Sequence, residues 1–312
     1  MRLAFVVDPL EKLKAYKDSS IAMMREAARR GHEVHALQAH DMLAAGGKVR
    51  AATVPLTLRD DDHDWYRAGP ASQSVLADFD VVLMRKDPPF DQEYYYATLL
   101  LDRVLANGGR VVNSPRALRD WNEKLSILAF PQLAPPTLVA SAMAELHGFI
   151  DEHRDVVVKK LDGMGGTMIF RVRSDDPNRN VIVETMTSMG TVTVMAQRFI
   201  PEIADGDKRV LVIDGKPFSH CLARIPKKGE TRGNLAAGGT GVARPITARD
   251  REIGEIVGRE LVKAGIVFAG LDVIGDHLTE VNVTSPTCIV EIAEQAGRNA
   301  ARDLVDVLEK GR

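Results

Sequence analysis

The sequence has little cysteine and almost no net charge. Its 312 residues include two cysteines, Cys221 and Cys288, which excludes a disulfide scaffold and favours a reducing compartment. Lys and Arg together number 41 and Asp and Glu number 43, so the net charge is −2. A nearly neutral chain lacks the basic surface that binds nucleic acid or an anionic membrane. We therefore expect neither as a partner.

Long apolar runs are missing as well. None approaches the roughly 18 residues that a membrane-spanning helix needs. The first run, residues 3–7, ends at Asp8 and is too short for the core of a signal peptide. These two absences lead us to expect a cytoplasmic protein.

Several common active-site motifs are also absent. No G-x-G-x-x-G follows the first predicted strand, so a dinucleotide site is not expected. The chain has no G-x-x-x-x-G-K-[ST] phosphate loop, no H-E-x-x-H metal motif and no G-x-S-x-G elbow of a serine hydrolase. Its composition, 45% hydrophobic and 27% charged, is that of a globular protein. The length allows about two domains.

The first third of the chain alternates apolar strands with helices. Continuous apolar runs are typical of strands buried on both faces of a parallel sheet. Asp18, Ser19 and Ser20 are N-cap candidates for a helix that runs to Gly31, and a second helix is predicted over residues 94–107. The alternation predicts a small parallel sheet. Its strands are expected at residues 3–7, 34–37, 81–84 and 110–112.

The remainder has longer strands and hairpin signals, which favour α+β structure with antiparallel sheets. Hairpin signals occur at residues 214–215 and 275–276, and helices are predicted at 248–264 and 300–310. We place the change of domain within residues 114–121. The predicted strands are residues 156–159, 168–172, 192–197, 209–213, 217–222 and 267–274.

A glycine-rich turn follows the predicted strand that ends at Lys159 and Lys160. It contains Gly163, Gly165 and Gly166. Glycines let backbone N–H groups approach phosphate oxygens closely, and a lysine at a strand end adds a positive charge. The pattern indicates a phosphate-binding loop, although a hairpin turn with solvated lysines also explains it.

Asp272, Glu280 and Asn282 lie on a predicted hairpin. Glu280 and Asn282 are two residues apart, so a strand presents both on one face. A two-residue loop would turn Asp272 to the other face, whereas a three-residue loop, 275–277, pairs Asp272 with Glu280. We predict the three-residue loop, with a bulge. Such hard oxygen ligands suit Mg²⁺; an edge hairpin with polar outer residues is the alternative.

Two arginines mark the ends of neighbouring predicted strands. Arg209 begins one strand and Arg224 ends the next, and the turn at 214–215 would bring these ends side by side. Paired guanidinium groups there would clamp a phosphoryl group during transfer. Two surface arginines paired with Asp205 or Asp207 are the alternative.

Residues 226–244 form a glycine-rich segment that carries Lys227, Lys228 and Arg232. A loop of this length between regular elements is typical either of a functional lid or of disorder. We expect a lid.

Together these features resemble the ATP-grasp superfamily and, within it, the bacterial glutathione synthetase family. The resemblance runs through nearly the whole chain, and its motifs, each modest alone, are highly specific in this order. The stretches that carry it are KDSS at 17–20, MRKDPPFD at 84–91, LRD at 118–120, NEKL at 122–125, LDGMGG at 161–166, GDKRV at 206–210, GETRGNLAAGG at 229–239 and TEVNVTSPT at 279–287.

The resemblance implies an α/β plus α+β fold. A Rossmann-like N-terminal domain is expected over residues 1–121, followed by a two-lobed ATP-grasp module over residues 122–312. The small lobe is expected at about residues 122–200, the large lobe at about 201–312 and the lid loop at about 226–244.

The resemblance also implies roles for individual residues, carried over by position. Contacts with ATP are expected of Lys124, Lys159, Gly163, Met164, Gly165, Gly166, Gln197, Arg198, Phe199, Ile200 and Asp207. Metal ligands are expected to be Asp272, Glu280 and Asn282. The peptide substrate is expected at Lys17, Ser19, Arg85, Asn282, Ser285, Pro286 and Thr287. Catalytic neutralisation of charge is expected of Arg209, Arg224 and Arg232.

The implied reaction is the ATP-dependent joining of γ-L-glutamyl-L-cysteine to glycine through an acyl phosphate, with Mg²⁺ or Mn²⁺ as cofactor and a homotetrameric assembly. Two alternatives stay open at this point. Another ATP-grasp carboxylate–amine ligase, such as a D-alanine–D-alanine ligase or a glutamate ligase, would differ at residues 17–20 and 85–91. A non-catalytic ATP-binding regulatory protein is disfavoured by the intact Asp272, Glu280 and Asn282.

Overall fold

The computed structural model describes residues 1–163, 165–235 and 238–311 of the chain. Within these residues three sheets follow one another along the sequence, and helices pack on each of them. No helix in the described part is both long enough and apolar enough to cross a membrane.

The first sheet has a parallel centre. Its strands are β1 (Arg2–Val6), β2 (Glu33–Leu37), β3 (Met42–Ala45), β4 (Lys48–Leu58), β5 (Tyr66–Ala68), β6 (Ser72–Val75), β7 (Val81–Met84) and β8 (Val111–Val112). The order β2-β1-β7-β8 is parallel throughout, which confirms the small parallel sheet predicted from the sequence. The four residues of β7 are all buried, as the continuous apolar run indicated.

The antiparallel extension of this sheet was not predicted. β4 pairs with β2 and also with β3, β5 and β6. Its residues alternate between buried and more exposed positions only approximately, and Pro55 interrupts the pattern. The eleven residues of β4 therefore gave no clear strand signal in the sequence.

The helices of the first part are α1 (Ser19–Arg29), α2 (Gln92–Ala106) and α3 (Pro115–Asp120). The Asp18 carboxylate accepts a hydrogen bond of 2.9 Å from the Ile21 backbone N–H, which confirms the predicted N-cap of α1. Asp91 caps α2 in the same way. The short 3₁₀ helices of the whole described chain are Leu10–Lys12, Ala39–Asp41, Leu76–Asp78, Leu125–Ala129 and Pro201–Asp205.

The second sheet is antiparallel, in the order β11-β10-β12-β9. Its strands are β9 (Thr137–Ala140), β10 (Asp155–Lys160), β11 (Ile169–Arg173) and β12 (Val194–Arg198), and its helices are α4 (Met143–His153) and α5 (Arg179–Met186). Val156 and Val158 of β10 lie in the core with both helices. Because side chains alternate along a strand, the opposite face of β10 carries Val157 and Lys159.

The third sheet is also antiparallel, in the order β15-β14-β13-β16-β17. Its strands are β13 (Asp207–Ile213), β14 (Lys216–Ile225), β15 (Thr240–Pro245), β16 (Phe268–Ile274) and β17 (His277–Asn282). The loop predicted at 226–244 is shorter than expected. Its residues from Thr240 onward belong to β15, which pairs with β14. The strand was concealed because its burial does not alternate and because it contains Gly241 and Pro245.

The helices of the last part are α6 (Ala248–Ala264), α7 (Ile289–Ala296) and α8 (Ala300–Lys310). α6 packs against β13 and β14, and a Cβ on its Gly258 would lie 2.2 Å from the Gly215 carbonyl oxygen, so only glycine fits there. α8 returns to the first domain and packs on α1. Arg30, at the end of α1, contacts Asp306 at 2.6 Å and Glu309 at 3.1 Å.

Asp250 of α6 provides a test of the third sheet's stability. Its carboxylate is fully buried, pairs with the Lys208 ammonium and completes a capping box with Thr247. We expect Asp250→Ala to lower the free energy of unfolding by about 3 kcal/mol, because it removes the carboxylate partner of the partly buried Lys208 ammonium and the cap of α6.

Urea denaturation followed by circular dichroism measures this effect. The matched control is Glu255→Ala, an exposed position on the same helix, which should change stability by less than about 0.5 kcal/mol. Equal unfolding midpoints for the two variants would contradict a structural role for the Lys208–Asp250 pair.

Candidate active site

A cavity of about 310 Å³ lies between the second and third sheets. Each sheet contributes charged side chains to its wall. Lys159 comes from β10, while Arg209, Arg224, Asp272 and Glu280 come from β13, β14, β16 and β17. The residues predicted separately for phosphate binding, metal binding and charge neutralisation therefore share one cavity.

Asp272 is the centre of a buried ionic cluster. Its Oδ1 accepts from Arg209 Nε at 2.5 Å, and its Oδ2 accepts from Arg209 Nη2 at 3.1 Å and lies 2.9 Å from Arg224 Nη2. Arg224 Nη2 also lies 2.5 Å from Asp207 Oδ2. The expected pair of strand-end arginines is thus present, and it is buried rather than on the surface. Of the two surface partners considered, Asp207 does bind Arg224.

The cluster separates the pKa values of its two carboxyl groups. Burial acts to raise the pKa of Asp272, but the charges of Arg209 and Arg224 outweigh it and hold that pKa well below the usual range. Burial raises the pKa of Asp207 to about 7, against the opposing charge of Arg224. Asp207 Oδ1 is buried and has no hydrogen-bond partner among the described residues.

The hairpin β16–β17 pairs Asp272 with Glu280, as predicted, but by a different route. Ile274 pairs with His277, so the turn has two residues and the predicted three-residue loop is wrong. The register shifts between Val273 and Asp272, where Thr279 is the extra residue of a bulge. The bulge alone therefore returns Asp272 and Glu280 to opposing positions.

Two buried lysines face the carboxylates. Lys124 Nζ donates to the Gly163 carbonyl oxygen at 2.6 Å and to Glu280 Oε1 at 3.1 Å. Lys159 Nζ donates to the Thr279 carbonyl oxygen at 3.3 Å, and burial lowers the pKa of Lys159. Lys159 has no carboxylate partner within the described residues, so its charge is the less compensated of the two.

The glycine-rich loop and the predicted lid meet at the cavity. Gly163, Gly165 and Gly166 line it, whereas Met164 lies outside the described residues. Arg232 Nη1 donates to the Gly166 carbonyl oxygen at 3.1 Å, and Arg232 Nη2 binds Glu230 Oε2 at 2.6 Å. The two loops therefore cover the same end of the cavity in contact with each other.

An apolar recess adjoins the charged part of the cavity. The four predicted hinge residues, Gln197, Arg198, Phe199 and Ile200, all line it. Gln197 Nε2 donates to Thr137 Oγ1 at 3.0 Å, which holds the hinge to β9. The apolar side chains that complete the recess are Val157, Ile169, Ile203, Leu235 and Ile274.

Comparison with known proteins identifies this arrangement. The model of the prokaryotic glutathione synthetase ATP-grasp domain matches residues 123–297, and that of the N-terminal domain of the same family matches residues 1–119. Glutathione synthetase of Nitrosomonas europaea is 55% identical over 99% of this chain and 98% of its own length. Glutathione synthetase of Vibrio parahaemolyticus is 50% identical over the same shares.

The chain belongs to the prokaryotic glutathione synthetase family. It is therefore an ATP-dependent ligase with the ATP-grasp fold, as the sequence resemblance indicated. Two solved structures have the same fold at low sequence identity. The ATP-grasp ligase PsnB, complexed with a minimal precursor, has a TM-score of 0.65 at 17% identity, and D-cycloserine synthetase DcsG has a TM-score of 0.70 at 15% identity. Both matches cover 100% of each chain.

Only some of the residues expected to bind the peptide substrate of a glutathione synthetase line the cavity. Asn282, Ser285 and Thr287 line the cavity, whereas Lys17, Ser19, Arg85 and Pro286 are not among its lining residues. Arg85 is buried behind the wall. Its Nε donates to Ser20 Oγ and its Nη2 to the Pro286 carbonyl oxygen, each at 3.0 Å, and it thereby supports the segment that carries Ser285 and Thr287.

Glu123 was missed by sequence reasoning, although it lies beside Lys124 in the stretch that carried the resemblance. It lines the cavity, and its carboxylate accepts hydrogen bonds from Val283 and Thr284, about 160 residues away in the chain. A glutamate beside a predicted phosphate-binding lysine was the only available signal. The hydrogen-bond partners of Glu123 are brought to it only by the tertiary fold, so no local sequence pattern indicates them.

Proposed function

We propose that this cavity joins γ-L-glutamyl-L-cysteine to glycine with ATP, giving glutathione, ADP and phosphate. The observation that carries the proposal is that one cavity is lined by apolar side chains and by a set of lysines, arginines and carboxylates, among them Lys124, Lys159, Arg209, Arg224, Asp272 and Glu280. This arrangement suits a reaction whose first step brings a carboxylate against a triphosphate, because repulsion between anions is its main barrier.

In the first step the cysteinyl carboxylate oxygen attacks the γ-phosphorus, the bond to the bridging oxygen breaks and ADP leaves. Lys159 is the best placed phosphate ligand because its ammonium is buried and has no carboxylate partner among the described residues. Arg209 and Arg224, held by Asp272, and Lys124, held by Glu280, add positive charge in fixed positions.

The nucleotide base fits the apolar recess of the cavity. We propose that hinge residues 197–200 bind the adenine ring and that Asp207 binds the ribose. Asp207 Oδ1 has no hydrogen-bond partner among the described residues, so it can accept a hydrogen bond from a ribose hydroxyl group. The glycines at 163, 165 and 166 would contact the phosphates, and we extend the same role to Met164.

The donor set on β16 and β17 fits a divalent cation. Asp272 and Glu280 supply carboxylate oxygens, and Asn282 turns its amide nitrogen to the Gly270 carbonyl oxygen at 3.1 Å, which leaves its amide oxygen as the ligand. Mg²⁺ takes few protein ligands, so two carboxylates and one amide oxygen suit it. A bound Mg²⁺, or Mn²⁺ in its place, would neutralise phosphate charge.

In the second step the glycine nitrogen attacks the acyl carbon, and phosphate leaves as the new amide forms. The acyl phosphate must be kept from water until then. Arg232 and the segment around it contact the glycine-rich loop, so we propose that this lid closes the cavity during the reaction. Lys17, Ser19, Arg85, Ser285, Pro286 and Thr287 are proposed to bind or support the peptide.

Loss of the lid contact should uncouple ATP hydrolysis from product formation. We expect replacement of residues 230–234 by a glycine–serine linker of equal length to release more than one phosphate per glutathione, because water then reaches the acyl phosphate. Lys228→Ala, at an exposed position of the same segment, is the control and should remain coupled. The ratio of phosphate to glutathione measures the effect, and tight coupling in the linker variant, or after proteolysis within 226–244, would argue against water exclusion.

The proposed reaction is tested by phosphate release from ATP and Mg²⁺ with a panel of donors and amines. We expect release and a glutathione product only with γ-glutamylcysteine plus glycine. Release with D-alanine alone, or with glutamate as the added amino acid, would instead identify another carboxylate–amine ligase. A homotetramer, expected from the resemblance, and a cytoplasmic location, expected from the missing long apolar runs, stay predictions, which gel filtration and cell fractionation would test.

A further inference from the structure

Glu123 connects two parts of the cavity wall that are far apart in sequence. Its Oε1 accepts hydrogen bonds from Val283 N at 2.9 Å, Thr284 N at 3.0 Å and Thr284 Oγ1 at 2.8 Å. Its backbone carbonyl oxygen accepts a further bond from Val281 N at 2.8 Å. Glu123 thus contacts three of the four residues 281–284, at the end of β17 and directly after it.

The held segment lies between two groups of proposed ligands. Glu280 and Asn282 of β17 precede Thr284 in the chain, and Ser285 and Thr287 follow it. On the other side, the residue next to Glu123 is Lys124, whose ammonium contacts Glu280. Glu123 therefore lies where the phosphate, metal and peptide parts of the cavity meet.

We propose that Glu123 is a positioning residue, which fixes the end of β17 so that the metal ligands and the peptide-binding segment keep one geometry. The proposal rests on the proposed function, because it assigns those two sets of residues. A misplacement of about 1 Å in such a site can cost about 10²-fold in rate. Three donors on one oxygen are sufficient to hold both partners at that precision.

An acid–base role is the chemical alternative, since Glu123 lines the cavity. Burial raises its pKa, and the negative charge of Glu280 acts in the same direction, while the donors at Val283 and Thr284 act in the opposite one. The two roles make different demands on the side chain. Positioning needs only an acceptor oxygen, whereas proton transfer needs a carboxyl group.

Glu123→Gln and Glu123→Ala separate the two roles in the full-length protein. The amide oxygen of Gln can accept the same hydrogen bonds, so we expect Glu123→Gln to remain within about tenfold of wild-type kcat/KM for γ-glutamylcysteine, with an unchanged pH profile. We expect Glu123→Ala to lower kcat/KM by about 10²-fold. Glu145→Ala, at an exposed glutamate of α4, is the control and should match the wild type.

Thr284→Val removes one of the three donors without changing the shape of the side chain. Because it breaks the same contact, its effect should not add to that of Glu123→Ala in the double variant. Thermal melting of each variant shows whether it is folded. If Glu123→Ala fails to fold, Glu123→Gln and Thr284→Val still test the proposal.

Three results would overturn the proposal: a folded Glu123→Gln with the pH-dependent loss expected of a missing acid or base, a fully active Glu123→Ala, or additive effects of Glu123→Ala and Thr284→Val. The proposed function itself would fail differently, since the wild-type protein would then make no glutathione.

Discussion

Lys159→Met is expected to lower kcat by about 10²- to 10³-fold, the cost of removing one preorganised group that stabilises charge in a transition state. Lys159 lies in the cavity at 7% exposure, and its ammonium has only the Thr279 carbonyl oxygen as a partner among the described residues. Since no carboxylate forms an ion pair with it among the described residues, the ammonium is available to a phosphate group. Methionine keeps the length and apolar packing of the side chain, so the fold should be retained.

The adjacent Lys160→Met is the matched control for this prediction. Lys160 occupies the next position of β10, which faces the other side of the sheet, and it is not among the residues that line the cavity. Both variants are assayed for glutathione formation at saturating ATP and Mg²⁺. If the Lys160 variant loses as much activity as the Lys159 variant, the assignment of phosphate binding to Lys159 is wrong.

Glu280→Ala is expected to abolish measurable turnover, a loss of at least about 10³-fold, while the protein remains folded. Glu280 faces Asp272 across the hairpin and contacts the Lys124 ammonium at 3.1 Å, so its loss removes a proposed metal ligand and frees a phosphate-binding lysine. Glu280→Gln keeps an oxygen for Lys124 and removes only the negative charge. We expect it to be almost as inactive as the alanine variant.

Asp276→Asn, at the exposed turn of the same hairpin, is the control and should keep wild-type kinetics. Activity is measured over a series of Mg²⁺ concentrations, and circular dichroism shows that each variant is folded. Near-normal turnover of Glu280→Ala at saturating Mg²⁺ would remove Glu280 from the proposed metal site.

The elements that the sequence predicted well are those with a strong local signal. Four buried apolar runs became the parallel strands, and Asp18 capped α1 as its position indicated. β4 and β15 were missed because neither shows a regular alternation of apolar and polar residues. Their pairing depends on neighbouring strands that lie elsewhere in the sequence.

The candidate site shows the same division between local and distant information. Two-residue spacing correctly placed Glu280 and Asn282 on one strand, and the requirement that Asp272 face Glu280 correctly predicted their pairing. The predicted bulge is confirmed, but the spacing could not show that it lies at Thr279 and makes the pairing possible with a two-residue turn. Nor could it show that Glu123 reaches Thr284, since that contact forms only after two distant segments pack together.

The packing of α8 on α1 has a consequence for biosynthesis. α8 contributes Ala300, Ala301, Leu304, Val305 and Leu308 to a core that also contains Ile21 and Met24 of α1. A ribosome delivers α1 long before it delivers α8, so this face of α1 stays uncovered until α8 has been synthesised. The nascent chain therefore has to keep an apolar helix face from aggregating while the residues between the two helices are made.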